Sequence, residues 1–370
     1  MKTATILSVI LLLFGVELVY SQSSFEKPKL SNADSWSIIV LPDVQNYSKF
    51  NRNQPILDLM MSWVEDHIDS LNVKMVVCVG DLVEQNDIIN QGHDGDQSAQ
   101  RQWEFISRMF ARLDGKVPYI AATGNHDYSI DRQGKRSSKY SEFFTVDKNW
   151  RNRKVIVQNS TNENGVPTLE NSAFELKDVN GKDYLFLTVE FAPRDTVLAW
   201  ASQVVNLPQY KKHRVILTTH AFLSEKDKRT TAVPKWLMYE PYSVNNQIQK
   251  SPKIVLPKAN SGEQIWSKLV EPASNIDLVL CGHISGEGYR VDQNSSGRAV
   301  HQMLFDAQSE GGGHRYGNGG DGWLRIIEFL PDNSTVKVKT YSPLFGISPT
   351  TQDHAWRRDA RNEFSFKLSK

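Results

Sequence analysis

The sequence predicts an α/β protein with two packed sheets. Three observations carry that expectation. Apolar strand-like runs alternate with helix-like segments through the first half, a second set of such units follows, and the last third returns to strands alone.

In chain order, "WSIIVL" (36–41), "KMVVCVG" (74–80) and "KVPYIAATG" (116–124) are rich in apolar and β-branched residues, as buried strands are. Between them, "PILDLMMSWVEDHIDSL" places Ile56, Leu59, Met60, Trp63 and His67 at helical spacing. "SAQRQWEFISRMFARL" does the same with Trp103, Ile106, Phe110 and Leu113. These stripes read as core packing, with His67 a helix-face residue. "SAFELK", "DYLFLTVEF", a helix-like "RDTVLAWASQVVN", "RVILTTH" and "IDLVLCGH" form the second set. "AVHQMLFDAQ", "WLRIIEFL" and "TVKVKTYS" close the chain as strands. Residues 221–262 are polar, Pro-punctuated and too long for a simple turn.

Lys+Arg number 43 against 42 Asp+Glu, a formal charge of +1, so nothing in the balance suggests a nucleic-acid footprint or a polybasic membrane patch. At the N-terminus, Lys2 precedes the apolar "ILSVILLLFGVELVY", and Val19 and Ser21 fit the small-residue rule for cleavage before Gln22. Residues 1–21 are thus expected to be a secretory signal peptide, with Glu17 interrupting a run already short for a span. The expected product is secreted, or periplasmic in a bacterium, with no membrane span left after signal removal. In a eukaryotic source, Asn46, Asn159, Asn294 and Asn333 are N-x-[ST] sequons of a glycoprotein, although Asn46 lies inside a motif. Cys78 and Cys281 sit in apolar runs and read as buried free thiols, a single bridge between them being the alternative.

The chemistry gathers where strands stop. The first ends in "LPDVQNYS" with Asp43 and Gln45, the second in "GDLVEQN" with Asp81 and Glu84, the third in "GNHDYS" with Asn125, His126 and Asp127. "RVILTTH" ends at His220 and "IDLVLCGH" at His283. Ligand sites of α/β sheets form beyond the carboxyl ends of strands. Any one of these turns is ordinary Gly, Asn and Asp chemistry, but five in this order are not. Carboxylate, amide oxygen and imidazole together suit Zn, Mn or Fe, and the absence of thiolates argues against a structural zinc site. Two ions sharing one Asp, about 3.5–4 Å apart, can clamp a phosphoryl group.

The ordered set resembles the calcineurin-like metallophosphoesterase superfamily, whose pattern is D-x-H, G-D, G-N-H-[DE], a lone His, then G-H-x-H. The likeness covers roughly residues 36–306, and "GWLRIIEF" and "TYSP" are similar to a secreted subgroup. It implies a four-layer α/β/β/α sandwich of two mixed sheets flanked by helices. It also implies two divalent metal ions (Mn, Zn, Fe or Mg). By the same likeness Asp81 bridges both ions, Asn125, His220 and His283 complete the second ion's shell, and Asp43 belongs to the first. His126 would be the general acid, oriented by Asp127, and a metal-bridging hydroxide the nucleophile. Two departures affect one ion: Gln45 replaces the histidine of D-x-H, and Ser285 the last histidine of G-H-x-H. Asp43, Asp81, the Gln45 amide oxygen and Glu84 would remain for the first ion, an oxygen shell suited to a harder cation.

The resemblance implies a secreted metal-dependent phosphoesterase that hydrolyses a phosphomonoester or phosphodiester, its substrate a phosphorylated small molecule or extracellular component. The alternative is a secreted, non-catalytic scaffold binding metal, phosphate or matrix components, which the altered first site favours. Residues 90–97, the loop after His220 and residues 309–322 are candidates to select substrate, with His93, Asp306 and His314 in reach of the site. His213, His301 and His354 read as surface or strand residues. The expected boundaries are a lead-in over 22–35, the phosphoesterase domain over 36–342 and a C-terminal tail over 343–370.

Overall fold

The computed structural model describes residues 25–87, 95–130, 135–231 and 259–369. Residues 1–21, expected to be a signal peptide, His93 and most of the loop after His220 lie outside the described residues.

Strands β1 (Trp36–Leu41), β2 (Val73–Cys78) and β3 (Tyr119–Ala121) are followed by a short hairpin, β4 (Ser129–Ile130) and β5 (Arg136–Ser137). Next come β6 (Ile156–Thr161), β7 (Pro167–Val179), β8 (Lys182–Thr188), β9 (Arg214–Thr218) and β10 (Ile276–Cys281). The chain ends with β11 (Gly286–Gln293), β12 (Ala299–Asp306), β13 (Leu324–Phe329), β14 (Thr335–Tyr341), β15 (Trp356–Arg357) and β16 (Phe364–Lys367). One sheet has the order β15-β14-β13-β1-β2-β3, with β16 also on β14, and the other β11-β12-β10-β9-β8-β7-β6. Both are mixed: β1, β2 and β3 run parallel, as do β8, β9, β10 and β12, with antiparallel strands outside them.

Strand alternation sorts the second sheet into two faces. Tyr184, Phe186, Ile216, Leu278, Leu280 and Met303 join the core of the first sheet, where Trp36 meets Tyr184 edge-on at 4.8 Å between ring centres. Leu185, Leu187, Val215, Leu217 and Val279 pack instead with Val197, Leu198, Ala201 and Val205 of the helix Asp195–Val205. The helices Gln54–His67 and Ala99–Ala111 pack against the first sheet, completing the α/β/β/α layers. Trp103, Ile106, Phe110 and Leu113 are buried as expected. On Gln54–His67 the buried stripe is Leu57, Met60, Met61 and Val64, one residue round from the expected face, while Ile56, Leu59 and Trp63 are half-buried. Both sets obey helical spacing, so periodicity alone does not choose between adjacent apolar faces.

The stretch after 342 is not a loose tail. β15 and β16 both pair with β14, and Phe366 is buried in the main core. Cys78 and Cys281 are free and buried. Asn46 and Asn294 donate their side-chain N–H inside the fold, to the Gln308 and Ala273 carbonyls, which leaves no room for a glycan on either. No described helix is long and apolar enough to cross a membrane.

One buried cluster away from the strand-end residues is unbalanced. Glu190 takes both Arg136 and Arg194 at 2.8 Å, and Arg136 also reaches Glu163 at 2.5 Å. Neighbouring Glu170 is buried with neither carboxylate oxygen hydrogen-bonded. Burial, and then the Glu190 charge, push its pKa from 4.5 to about 8. Because the folded value is raised, stability is intact below pH 4.5 and is lost as pH rises toward 8. Glu170→Gln is expected to raise the melting temperature at pH 8.5 and to leave it unchanged at pH 5. Equal effects at both pH values would show that Glu170 is not the titrating group.

Candidate metal centre

The parallel strands of both sheets deliver their carboxyl ends to one place. Asp43 follows β1, Asp81 follows β2, Asn125 and His126 follow β3, His220 follows β9, and His283 follows β10. Two of these turns use backbone that few non-glycine residues adopt: Asp81 has φ 49° and His283 φ 76°. Glycines let the groups close up. A Cβ on Gly124 would stand 2.0 Å from Asp81 Oδ1, one on Gly282 2.0 Å from Asp43 Oδ1, and one on Gly80 2.4 Å from His220 Nδ1.

Asp81, His220 and His283 present ligand atoms within 4.8 Å of one another, all buried. His220 Nδ1 donates to the Val79 carbonyl at 3.0 Å, which turns Nε2 toward Asp81 Oδ1 (3.3 Å) and Asn125 Oδ1 (3.2 Å). A backbone partner on one imidazole nitrogen is how a protein fixes the tautomer of a metal ligand. These four residues fit a divalent ion of the Zn, Mn or Fe class. The electrostatics ask for a cation there. Burial opposes charge on His220, yet the Asp81 and Asp43 carboxylates push it up to about 10, while burial and the charged His220 push His283 down to about 3. Asp81 stays ionised despite burial because His220 and His126 face it.

His126 stands beside this group. Its N–H donates to Asp81 Oδ1 at 3.0 Å, its Nδ1 meets the Glu84 carbonyl at 2.8 Å, and its Nε2 lies 4.0 Å from Asp81 Oδ2. Asp127 does not orient the imidazole, contrary to expectation. Its carboxylate accepts N–H bonds from Leu82, Val83 and Gly124 (3.1, 3.0 and 2.8 Å), clasping the G-D and G-N-H-D turns together. Residues 125–127 form a 3₁₀ turn, in which successive side chains diverge by about 120°. The group that orients His126 is the Glu84 carbonyl.

Glu84 also differs from its expected place at the first ion. Its buried carboxylate pairs with buried Lys49 at 3.2 Å and with His314 at 3.1 Å, and lies 3.9 Å from His126 Nδ1. Burial would raise its pKa, but Lys49 and His126 hold it at about 2. His314, from the glycine-rich segment, thus reaches the His126 side. Lys49 carried no sequence signal, following a four-residue helix, Gln45–Ser48, with no motif around it.

Gln45 is brought to the site. Its Nε2 donates to Asp81 Oδ2 at 3.3 Å and to Gln308 Oε1, and its own Oε1 has no hydrogen-bond partner. Asp43 Oδ2 accepts from the His283 N–H at 3.0 Å, and Oδ1 has no donor. Gln308 Nε2 joins Asp43 Oδ2 (3.3 Å) to Asp306 Oδ2 (2.7 Å). Burial, then the facing Asp306, push Asp43 well above the usual carboxylate range, and burial pushes Asp306 up to about 6. Gln308 was missed from the sequence, although "DAQ" (306–308) repeats the D-x-Q spacing of "DVQ" (43–45) at the carboxyl end of a strand of the other sheet.

The family model for the calcineurin-like phosphoesterases matches residues 37–286, more than half of the chain. The chain belongs to the calcineurin-like phosphoesterase family. Membership in the calcineurin-like phosphoesterases implies divalent metal ions, and the buried triad above fits a metal. The chain is 27% identical over 317 residues to the uncharacterised protein YvnB of Bacillus subtilis, covering 84% of this chain and 20% of that protein. It is 21% identical over 160 residues to purple acid phosphatase 15 of Arabidopsis thaliana, covering 40% of this chain and 30% of that protein. It thus spans about a fifth and three tenths of these relatives' lengths. A solved structure described as GAP50, the anchor in the inner membrane complex of Plasmodium, has TM-score 0.44 and 11% identity, covering 91% of this chain and 90% of that one.

Proposed function

We propose that this calcineurin-like phosphoesterase is an exported hydrolase of phosphate monoesters or diesters, working outside the cell, or in the periplasm of a bacterium. The observation that carries the reading is the convergence of Asp81, Asn125, His220 and His283 on one buried point, with His126 Nε2 4.0 Å from Asp81 Oδ2. Bound divalent ions would polarise the phosphoryl oxygens and make a water acidic enough to attack phosphorus. The chain's own residues supply the rest. Asp81, Asn125 and the His220 and His283 imidazoles would hold an ion, and the glycines let their turns close together. In its imidazolium form His126 keeps Nδ1–H on the Glu84 carbonyl and has Nε2–H left to give to the departing alkoxide, ending as the neutral ring. His314 brings the segment 309–322 over the His126 side, where a leaving group would lie.

The test is hydrolysis of aryl phosphate mono- and diesters by the full chain stripped with chelator, then supplied with Mn²⁺ or Zn²⁺. Turnover is expected to vanish on stripping and return with metal. The loss of both first-ion imidazoles favours a second reading, a non-catalytic scaffold binding phosphate or matrix components. A folded, metal-loaded chain without turnover on either ester class would select it.

A further inference from the structure

Resting on the dimetal reading above, we propose that the first ion is held by an all-oxygen shell in which Asp306 and Gln308 replace the two missing imidazoles. The first sign is at Ser285, where the family pattern carries a histidine. Its hydroxyl lies 3.5 Å from Asp306 Oδ2 and 2.7 Å from Ser309 Oγ. The serine brings no imidazole, and the carboxylate beside it belongs to Asp306, the last residue of β12, the strand that pairs with β11 just after Ser285.

Two buried carboxylates, Asp43 and Asp306, thus face each other with one amide between them. Such a pair is not by itself a metal site. The second observation is an orphaned oxygen: Asp43 Oδ1 is buried, carries no hydrogen bond, and belongs to a side chain fully shielded from solvent. A buried acceptor without a donor costs free energy unless something positive meets it. Gln45 Nε2 stands 3.3 Å from Asp81 Oδ2, so its amide lies beside the carboxylate that the two sites would share.

The two amides are head to tail, Gln45 donating to Gln308 and Gln308 donating to both aspartates. A half-turn about the last side-chain torsion, which is broad and two-fold, exchanges N–H₂ for C=O at the same reach. The network that binds the carboxylates by N–H groups then offers oxygens to a cation. Asp43, Asp81 and Asp306 supply the charge and the Gln45 and Gln308 amides neutral oxygens, a donor set for Mg²⁺, Mn²⁺ or Ca²⁺ and a poor one for Zn²⁺. A D-x-Q element stands at the carboxyl end of both β1 and β12, so each sheet contributes one carboxylate and one amide.

The experiment counts ions on the full chain stripped with chelator, by elemental analysis and Mn²⁺ paramagnetic resonance. With Mn²⁺ alone, the wild type is expected to hold two ions per chain, and Asp306→Asn one, its first-site affinity falling about 100-fold. His283→Gly, which keeps the left-handed backbone, is expected to lose the other ion. Mg²⁺ alone should fill one site in wild type and in His283→Gly, and none in Asp306→Asn. Gln308→Glu, nearly isosteric, should tighten Mg²⁺ binding. The ion retained by Asp306→Asn shows that this variant folds. One Mn²⁺ per wild-type chain, or two in Asp306→Asn, would overturn the proposal. A wild type that holds one ion and still hydrolyses esters would sink this shell but not the proposed function, and two ions without hydrolysis the reverse.

Discussion

His126→Ala is expected to lower kcat on alkyl phosphate esters by about 10²- to 10⁴-fold while leaving the bound metal unchanged. The imidazole is held at Nδ1 by the Glu84 carbonyl at 2.8 Å and turns Nε2 toward Asp81, 4.0 Å away, without joining the Asp81, His220 and His283 cluster. In the proposed reaction its contribution is a proton delivered as the ester bond breaks. The need for that proton grows with the basicity of the departing alkoxide, so a nitrophenyl ester, whose leaving group is stable as an anion, is expected to suffer least. The check is kcat for both ester types beside metal analysis of the same preparations. Equal small losses on both esters would remove His126 from the proton-donor role. Loss of metal would make it a ligand instead.

Lys49→Ala is expected to destabilise the fold by about 3–5 kcal/mol at pH 7, read from urea unfolding. Lys49 and Glu84 are both almost fully buried, 3.2 Å apart, and removing one partner strands the other's charge away from water. His314 is half-exposed, and its contact replaces little of what Lys49 supplies. Lys49→Met with Glu84→Gln removes both charges and is expected to recover most of the loss, since a buried pair exchanged for neutral groups of similar volume is often close to neutral. The depressed Glu84 pKa of about 2 sets the acid limb. Its contribution is present above pH 4.5 and is lost as pH falls toward 2. A Lys49→Ala loss below 1 kcal/mol would mean that water reaches the pair.

Much of the fold is local information. β1, β2, β9 and β10 are apolar runs that can only be buried, and Ala99–Ala111 shows one apolar face at helical period. What stayed hidden was polar or short. β11, "GEGYRVDQ", is a half-exposed edge strand with no apolar run, and β15 and β16 are two and four residues long. Such segments are strands because a neighbour offers hydrogen bonds, not because of their composition.

The sequence by itself determined the kinds of ligand and their order, because strand ends followed by Gly-Asp, Gly-Asn-His-Asp and Gly-His are written in consecutive residues. Only the tertiary structure decided who partners whom. Asp127 adjoins His126 yet braces backbone N–H groups, because a 3₁₀ turn sends neighbouring side chains apart. Glu84 follows Asp81 by three residues yet pairs with Lys49, because both are buried and opposite charges must meet where water is absent. Gln308 stands beside Asp43 across 265 residues of chain, because the parallel strands of two packed sheets end at the same point. Contacts of that separation are set by the stacking of layers, and no short stretch of sequence contains them.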